Sequence, residues 1–335
     1  MSAPTIKDVA KLAGVSISTV SRVMNDSKPV SPESRRKVED AIKKLDFKPN
    51  ELARSLVMKR SNLIGVVVED IGISYMAQIV RGVEEIGRMY KYDILLSSTY
   101  GDLDQEKKII EFMFSKQVEG IILISENINP EVIFKLRDQG IPYIQLGRFS
   151  KLKDYRTVRV DYEEAFYNLV EYLSGLGHEK ILFIKDDTDL ETERQKLLGY
   201  KKALEKFGLK PYIIEVGGAN VEDGYEVGEK VIKLSEKKGV TCVCFRTDSQ
   251  AIGFLNYCYD NNLKVPDKIS VTGFGDFPMT SIYRPTLTTV QVPYYDIGAI
   301  SMRSLVKILQ EDQKMTDEIV LGSQIMKRDT VKKLN

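Results

Sequence analysis

Tryptophan is absent from this 335-residue sequence, histidine occurs once and cysteine three times. Each scarcity removes a class of chemistry. A lone His178, set in a Leu-Gly-His-Glu-Lys turn, leaves little scope for imidazole catalysis and suits helix capping better. Cys242, Cys244 and Cys258 are odd in number and lie in or beside apolar runs. They read as reduced core thiols, not as a disulfide framework or a zinc set. No apolar run reaches the roughly 18 residues needed to span a bilayer. The opening Met1-Ser2-Ala3-Pro4 leads straight into a charged amphipathic stretch with no signal core, which implies a protein kept in the cytoplasm. A phosphate-binding Gly-x4-Gly-Lys-Ser/Thr pattern is missing, and Gly273-Phe274-Gly275 lacks the third glycine of a dinucleotide turn. Neighbouring acids such as Glu84-Glu85 and Glu163-Glu164 diverge on a helix and suit a solvated face. No catalytic constellation, cofactor site or metal set emerges, so an enzyme is not expected.

Net charge is also nearly absent, at +1, but its distribution is uneven. Residues 1–60 carry 13 Lys and Arg against 7 Asp and Glu, a balance of +6, and the remainder carries −5. A basic head on an acidic body is the arrangement a polyanion-binding module needs when it is attached to a regulatory domain.

The head reads as three short helices. Thr5 is placed to cap a helix over residues 6–13, with Asp8 three positions on. Gly14-Val15 supplies a turn, Ser16 caps a second helix running to about Asn25, and Ser31-Pro32-Glu33 opens a third with proline at its first position. Ile6, Val9, Ala10, Ala13, Val15, Val20 and Val23 supply a small core, joined by Val38, Ile42 and Leu45 from the third helix. Ser16, Ile17, Ser18, Thr19, Ser21 and Arg22 are left facing outward, with the hydroxyls, apolar contact and cation that major-groove reading uses. Asn50 can cap a fourth helix, residues 51–58, too short to be stable alone in water.

From Leu63 onward, apolar runs alternate with amphipathic stretches. Strands are expected at 63–68, 94–96, 120–124, 143–146, 181–184, 240–245 and 269–274. That alternation predicts parallel sheets covered by helices, in two similar α/β subdomains with a break near Asp161 and a return near 290. The domain reading is therefore a head over 1–49, a linker over 50–60 and a core over 61–335. Ligands of open parallel sheets sit beyond the carboxyl ends of strands. Asp70, Thr247-Asp248 and Gly275-Asp276 are thereby placed near a cleft between the subdomains.

The segment Thr5 to Val23 closely resembles the helix-turn-helix head of the lactose-repressor/galactose-repressor family. The resemblance continues through Lys48 to Leu56, Val118 to Ile122 and Arg284 to Val290, and covers essentially the whole chain. It implies an all-α head and hinge helix followed by a periplasmic-binding-protein-like core of two α/β subdomains. It also implies a homodimer on palindromic double-stranded operator DNA, with Ile17, Ser18 and Arg22 at base edges and Thr5, Ser16, Thr19 and Asn50 toward phosphates. By the same resemblance, Leu56 of each subunit wedges a base step apart in the minor groove, an unstacking offset by contacts to the bent duplex.

Sugar-binding members carry an arginine before a Gly-aromatic pair and an aspartate after a late strand; this chain has Lys196 and Gly275 there. A bidentate fork and a sugar-hydroxyl acceptor are thus replaced by a point charge and bare backbone. Lys196, Asp70, Asp248 and Asp276 remain the candidate cleft residues. The chain is more similar to the catabolite-control members of the family, whose corepressor is the phosphocarrier HPr phosphorylated on serine, in Met89 to Leu96, Lys116 to Gly120 and Tyr295 to Arg303. At about 100° per residue, Asp296, Arg303 and Lys307 fall within roughly 20° of one line on a helix. Arg303 and Lys307 would grip a phosphoserine, with Asp296 orienting a basic partner residue. The other readings are an intrahelical ion network at those positions, a regulator answering to a sugar or sugar phosphate, and, more distantly, a cytoplasmic solute-binding protein.

Overall fold

The computed structural model describes residues 4–25, 28–47, 61–73, 75–125, 128–147, 157–188, 190–311 and 318–334. The chain forms two compact units, Met1–Ser61 and Asn62–Asn335.

In the first unit α1 spans Ile6–Ala13, α2 Ile17–Asn25 and α3 Pro32–Leu45. Their starts follow from local hydrogen bonding. The Thr5 amide and hydroxyl both donate to Asp8 Oδ2, at 2.8 and 2.7 Å, and hold the Asp8 carboxyl below its ordinary range. Ser16 Oγ accepts from the Thr19 amide at 3.1 Å, and Ser31 Oγ from the Ser34 amide at 3.3 Å. Gly14, at φ +65°, takes the left-handed turn between α1 and α2 that a side chain would strain. Val9, Ala10, Ala13, Val20, Val23, Val38, Ala41 and Phe47 close the core, with Ile42 and Leu45 half-buried at its edge. The expected fourth helix, with Asn50 and Leu56, lies outside the described residues.

The second unit holds two six-stranded sheets. In the first, β1 (Leu63–Val68), β2 (Asp93–Ser98), β3 (Gly120–Ile124), β4 (Tyr143–Leu146) and β5 (Thr157–Val160) run parallel. The second repeats the pattern with β6 (Ile181–Lys185), β7 (Tyr212–Glu215), β8 (Cys242–Phe245), β9 (Ser270–Gly275) and β10 (Thr288–Gln291). Two short late strands complete them. β11 (Ile319–Leu321) joins the first sheet in parallel beside β5, and β12 (Gln324–Met326) joins the second antiparallel to β10. The strand orders are β2-β1-β3-β4-β5-β11 and β7-β6-β8-β9-β10-β12. β1, β3, β8 and β9 are buried along nearly their whole length, as strands covered on both faces must be.

The helices between them are α4 (Met76–Met89), α5 (Leu103–Ser115), α6 (Pro130–Asp138), α7 (Tyr162–Gly175), α8 (Glu191–Lys206), α9 (Val221–Glu226), α10 (Gly228–Lys238), α11 (Asp248–Asp260), α12 (Met279–Ile282) and α13 (Tyr294–Glu311). The chain passes between the sheets after β5, after β10 and again between β11 and β12. α13 packs on α4, in the first subdomain, through facing glycines. A Cβ on Gly82 would overlap the Tyr295 carbonyl, and one on Gly298 the Ile79 carbonyl. One apolar cluster runs from Val66 and Ile122 through Val290 and Val292 to Phe166, Phe183 and Phe274, so the subdomains share a continuous core. Cys242, Cys244 and Cys258 are free and buried within the second subdomain. His178 is fully buried: its ring bonds Thr241 Oγ1 (2.9 Å) and the Lys332 carbonyl (3.0 Å), tying the late segment to the sheet, and only its backbone amide closes a helix end, on Leu173.

Candidate nucleic-acid interface and effector cleft

On the head, α2 buries Val20 and Val23 and leaves Ser16, Ile17, Ser18 and Arg22 exposed, Ile17 by 45%; Thr19 is half-buried. An apolar side chain this open on a polar helix face suits contact with a thymine methyl. Ser16 Oγ lies 2.7 Å from Ser18 Oγ and 2.9 Å from Thr19 Oγ1. The three hydroxyls therefore form one donor–acceptor chain at the helix start, where amide groups favour phosphate. Thr5 is exposed at the start of α1 with its hydroxyl donated to Asp8.

In the core, each sheet reverses its winding between its first and third strands, the place where open α/β sheets hold ligands. The carboxyl ends there carry Glu69-Asp70 and Ser125 in one subdomain and Asp186 and Arg246-Thr247 in the other. What gathers there is an ion cluster. Lys196 Nζ lies 3.0 Å from Glu193 Oε1 and donates to the Arg246 carbonyl at 3.3 Å; Arg246 pairs with Asp186 and stands 3.7 Å from Glu193. Burial opposes ionisation of Glu193, yet the charges of Lys196 and Arg246 outweigh it and hold the carboxyl below its ordinary range. In Asp186, burial is likewise overcome by the Thr188 amide and Arg246. Lys196 is also 4.7 Å from the Phe274 ring centroid and 5.8 Å from that of Tyr162, within cation–π range.

The candidate acidic residues do not converge on a ligand space. Asp70 is half-buried and accepts the Gly72 amide at 2.8 Å. Asp276 accepts from Arg328 (2.6 Å), Thr280 (3.0 Å) and Gln291 (2.9 Å). Asp248 is fully buried beneath the cleft, accepting the Thr289 hydroxyl at 2.5 Å and the Phe277 amide at 2.9 Å. Burial lifts its pKa from 3.8 to about 6, against those two hydrogen bonds. Because the folded value is raised, the stability tied to this proton is fully present below about pH 3.8 and is lost as pH rises through about 6. That displacement corresponds to about 3 kcal/mol. Urea unfolding of wild type and Asp248→Asn between pH 4 and 7.5 checks it: wild type is expected to lose about that much more stability than the variant. Parallel pH profiles would remove the argument.

Among the described residues, a cavity of ≈ 70 Å³ is lined by Tyr75, Ile79, Ser125, Tyr162, Thr192 and Tyr294 among others.

Comparison with known proteins fits the head and the core together. Residues 5–50 match the profile described as bacterial regulatory proteins, lacI family, and residues 170–331 that of a periplasmic binding protein-like domain. Catabolite control protein A of Priestia megaterium is 35% identical over 98% of this chain and 99% of its own. The chain belongs to the lacI family of bacterial regulators. The HTH-type transcriptional regulator RegA of Clostridium acetobutylicum is 36% identical over 98% of this chain and 100% of its own. Among solved structures, the lac repressor dimer bound to operator and an anti-inducer superposes with a TM-score of 0.87 at 25% identity, covering 98% of this chain and 99% of that one. As a lacI-family member it is a DNA-binding transcription regulator, not an enzyme, and no helix among the described residues is long and apolar enough to cross a membrane.

The lacI-family core carries one further charged feature, on α13. Asp296, Arg303 and Lys307 are all exposed on that helix, and among the described residues none of them forms an ion pair. The acids of the adjoining helix are engaged elsewhere: Glu85 accepts from Arg81 and from the Tyr295 hydroxyl, both at 2.8 Å, and Glu84 pairs with Arg88. The intrahelical network weighed from sequence is thus not formed among the described residues.

Sequence reasoning missed Asp186, Glu193 and Arg246, as well as Tyr75, Phe277 and Tyr294. One signal was available: Glu193 and Lys196 stand at i and i+3 on a helix, a spacing that pairs opposite charges.

Proposed function

We propose that this chain is a homodimeric regulator of carbon-metabolism genes that acts in the cytoplasm on palindromic operator DNA, with serine-phosphorylated HPr as its protein corepressor. The observation that carries the corepressor reading is the open cationic pair Arg303 and Lys307, one turn apart on a helix fixed against α4 by glycine contacts. Arg303 clamps the phosphoserine bidentately, Lys307 adds charge, and Asp296 receives a basic residue of the carrier. Two similar proteins named catabolite control protein A or RegA support the metabolic assignment.

The test is affinity for HPr in its phosphorylated and unphosphorylated forms. Arg303→Glu is expected to weaken the phosphorylated complex by roughly 30-fold or more, the consequence of reversing one charge of a buried pair, while operator binding by the regulator alone stays unchanged. Unaltered affinity would sink the corepressor assignment.

On DNA, Ile17, Ser18 and Arg22 read base edges and Thr5, Ser16 and Thr19 hold phosphates, joined by Asn50 and the wedge Leu56 from the linker. Arg22→Ala is expected to lower operator affinity by about 1–3 kcal/mol. Binding to random duplex should fall less, with the salt dependence reduced by about one phosphate contact. Titration of both duplexes over a salt series measures the two effects separately; equal losses would return Arg22 to the phosphate class. The homodimer reading is supported by the exposed edge strand β2 and its surroundings, where Met89, Leu96 and Tyr100 present apolar surface of the kind that marks protein contacts.

A further inference from the structure

The cleft between the subdomains contains three aromatic rings in series. Tyr75 stands just before α4 in the first subdomain, Tyr294 opens α13 after the chain has passed back, and Phe277 follows β9 in the second. Tyr75 and Tyr294 stack with centroids 4.8 Å apart and planes 12° from parallel; Phe277 lies 6.1 Å from Tyr294 at 22°. This is the offset-stacked geometry that aromatic pairs prefer. The Phe277 ring is held in place from behind. Its amide donates to the buried Asp248 carboxylate, and its edge rests on Gly275, where a Cβ would come 3.0 Å from Phe277 Cζ and 3.2 Å from Asp248 Oδ2. Gly275 has φ +132°, a state side chains rarely adopt, so the backbone that admits the ring is itself a glycine conformation. Lys196 and its partners neutralise one another, and Tyr75 and Tyr294 also line a ≈ 70 Å³ cavity.

A ligand closes a two-lobed cleft only by interacting better with the closed arrangement than with the open one, which requires touching both lobes. Here side chains of the chain do so. We propose that Phe277 is a resident occupant of this cleft: stacked on Tyr294 and through it on Tyr75, it joins the subdomains by side chains of the chain itself. The stack then acts as a lock between the subdomains. The inference concerns the core alone and stands whether or not α13 receives the corepressor proposed above.

Amide hydrogen exchange on the intact chain, free of DNA and partner, tests it. In Phe277→Ala, amides beside the stack at Gln78, Ile79 and Ile297 are expected to exchange roughly tenfold faster or more, while strand-centre amides at Val66 and Val243 keep wild-type rates. Should the alanine variant lose strand-centre protection, Phe277→Leu, which keeps apolar bulk and removes the ring, is expected to give the localised pattern. Wild-type rates beside the stack in a folded variant overturn the proposal. So does acceleration in both variants that is as large at the strand centres as in the cleft.

Discussion

Glu193→Ala is expected to destabilise the core by about 3–5 kcal/mol, because it removes one anion from a buried cluster and leaves its cations uncompensated. Lys196 would keep only the Arg246 carbonyl and two aromatic faces, and Arg246 only Asp186 and the Gly218 carbonyl. The Asp186 amide, which donates to Glu193 Oε2 at 3.1 Å, would lose its acceptor as well. Replacing the whole cluster is a different experiment: buried ion groups exchanged for well-packed apolar residues are often neutral or stabilising. Urea unfolding of Glu193→Ala against a Glu193→Met, Lys196→Met double variant separates the two effects. A single variant as stable as wild type would show that the cluster is hydrated and contributes little.

Gly298→Val carries the second large effect, a loss of more than about 4 kcal/mol, the range reserved for severe overpacking of a core contact. Its added atoms would enter the Ile79 carbonyl and press on the Val83 amide, both backbone groups of α4 that cannot swing aside as a side chain can. α13 would have to lift from α4, carrying Arg303 and Lys307 with it. A folded Gly298→Val chain should therefore show weakened corepressor binding without any change in the charged residues themselves. Chemical denaturation with the binding titration checks both halves; a variant with wild-type stability would mean the two helices are less closely seated than described.

The legible parts of this fold are those whose causes are local. β1 and β3 begin and end where their apolar runs do, since a strand buried on both faces needs an unbroken run. The head helices announce themselves through Thr5, Ser16 and Ser31-Pro32. β5, β7 and β10, by contrast, read Thr-Val-Arg-Val, Tyr-Ile-Ile-Glu and Thr-Thr-Val-Gln, four residues each with polar positions among them, and become strands only because a neighbour supplies the ladder. The site divides in the same way. The outward hydroxyls of α2 follow from helical spacing, as does the line through Asp296, Arg303 and Lys307. Asp186 and Arg246 stand 60 positions apart in sequence and meet only because β6 and β8 are sheet neighbours. Phe277 reads as an ordinary core phenylalanine until the left-handed backbone at Gly275 and Asp276 turns it into the cleft.

Only Gly322 and Ser323 separate β11 from β12, yet the two strands complete different sheets. During synthesis, β5 and β10 therefore keep an unpaired edge until the segment beyond residue 318 has left the ribosome. Neither lobe can mature ahead of the other, and the two reach their final form together as that last stretch of the nascent polypeptide is laid down.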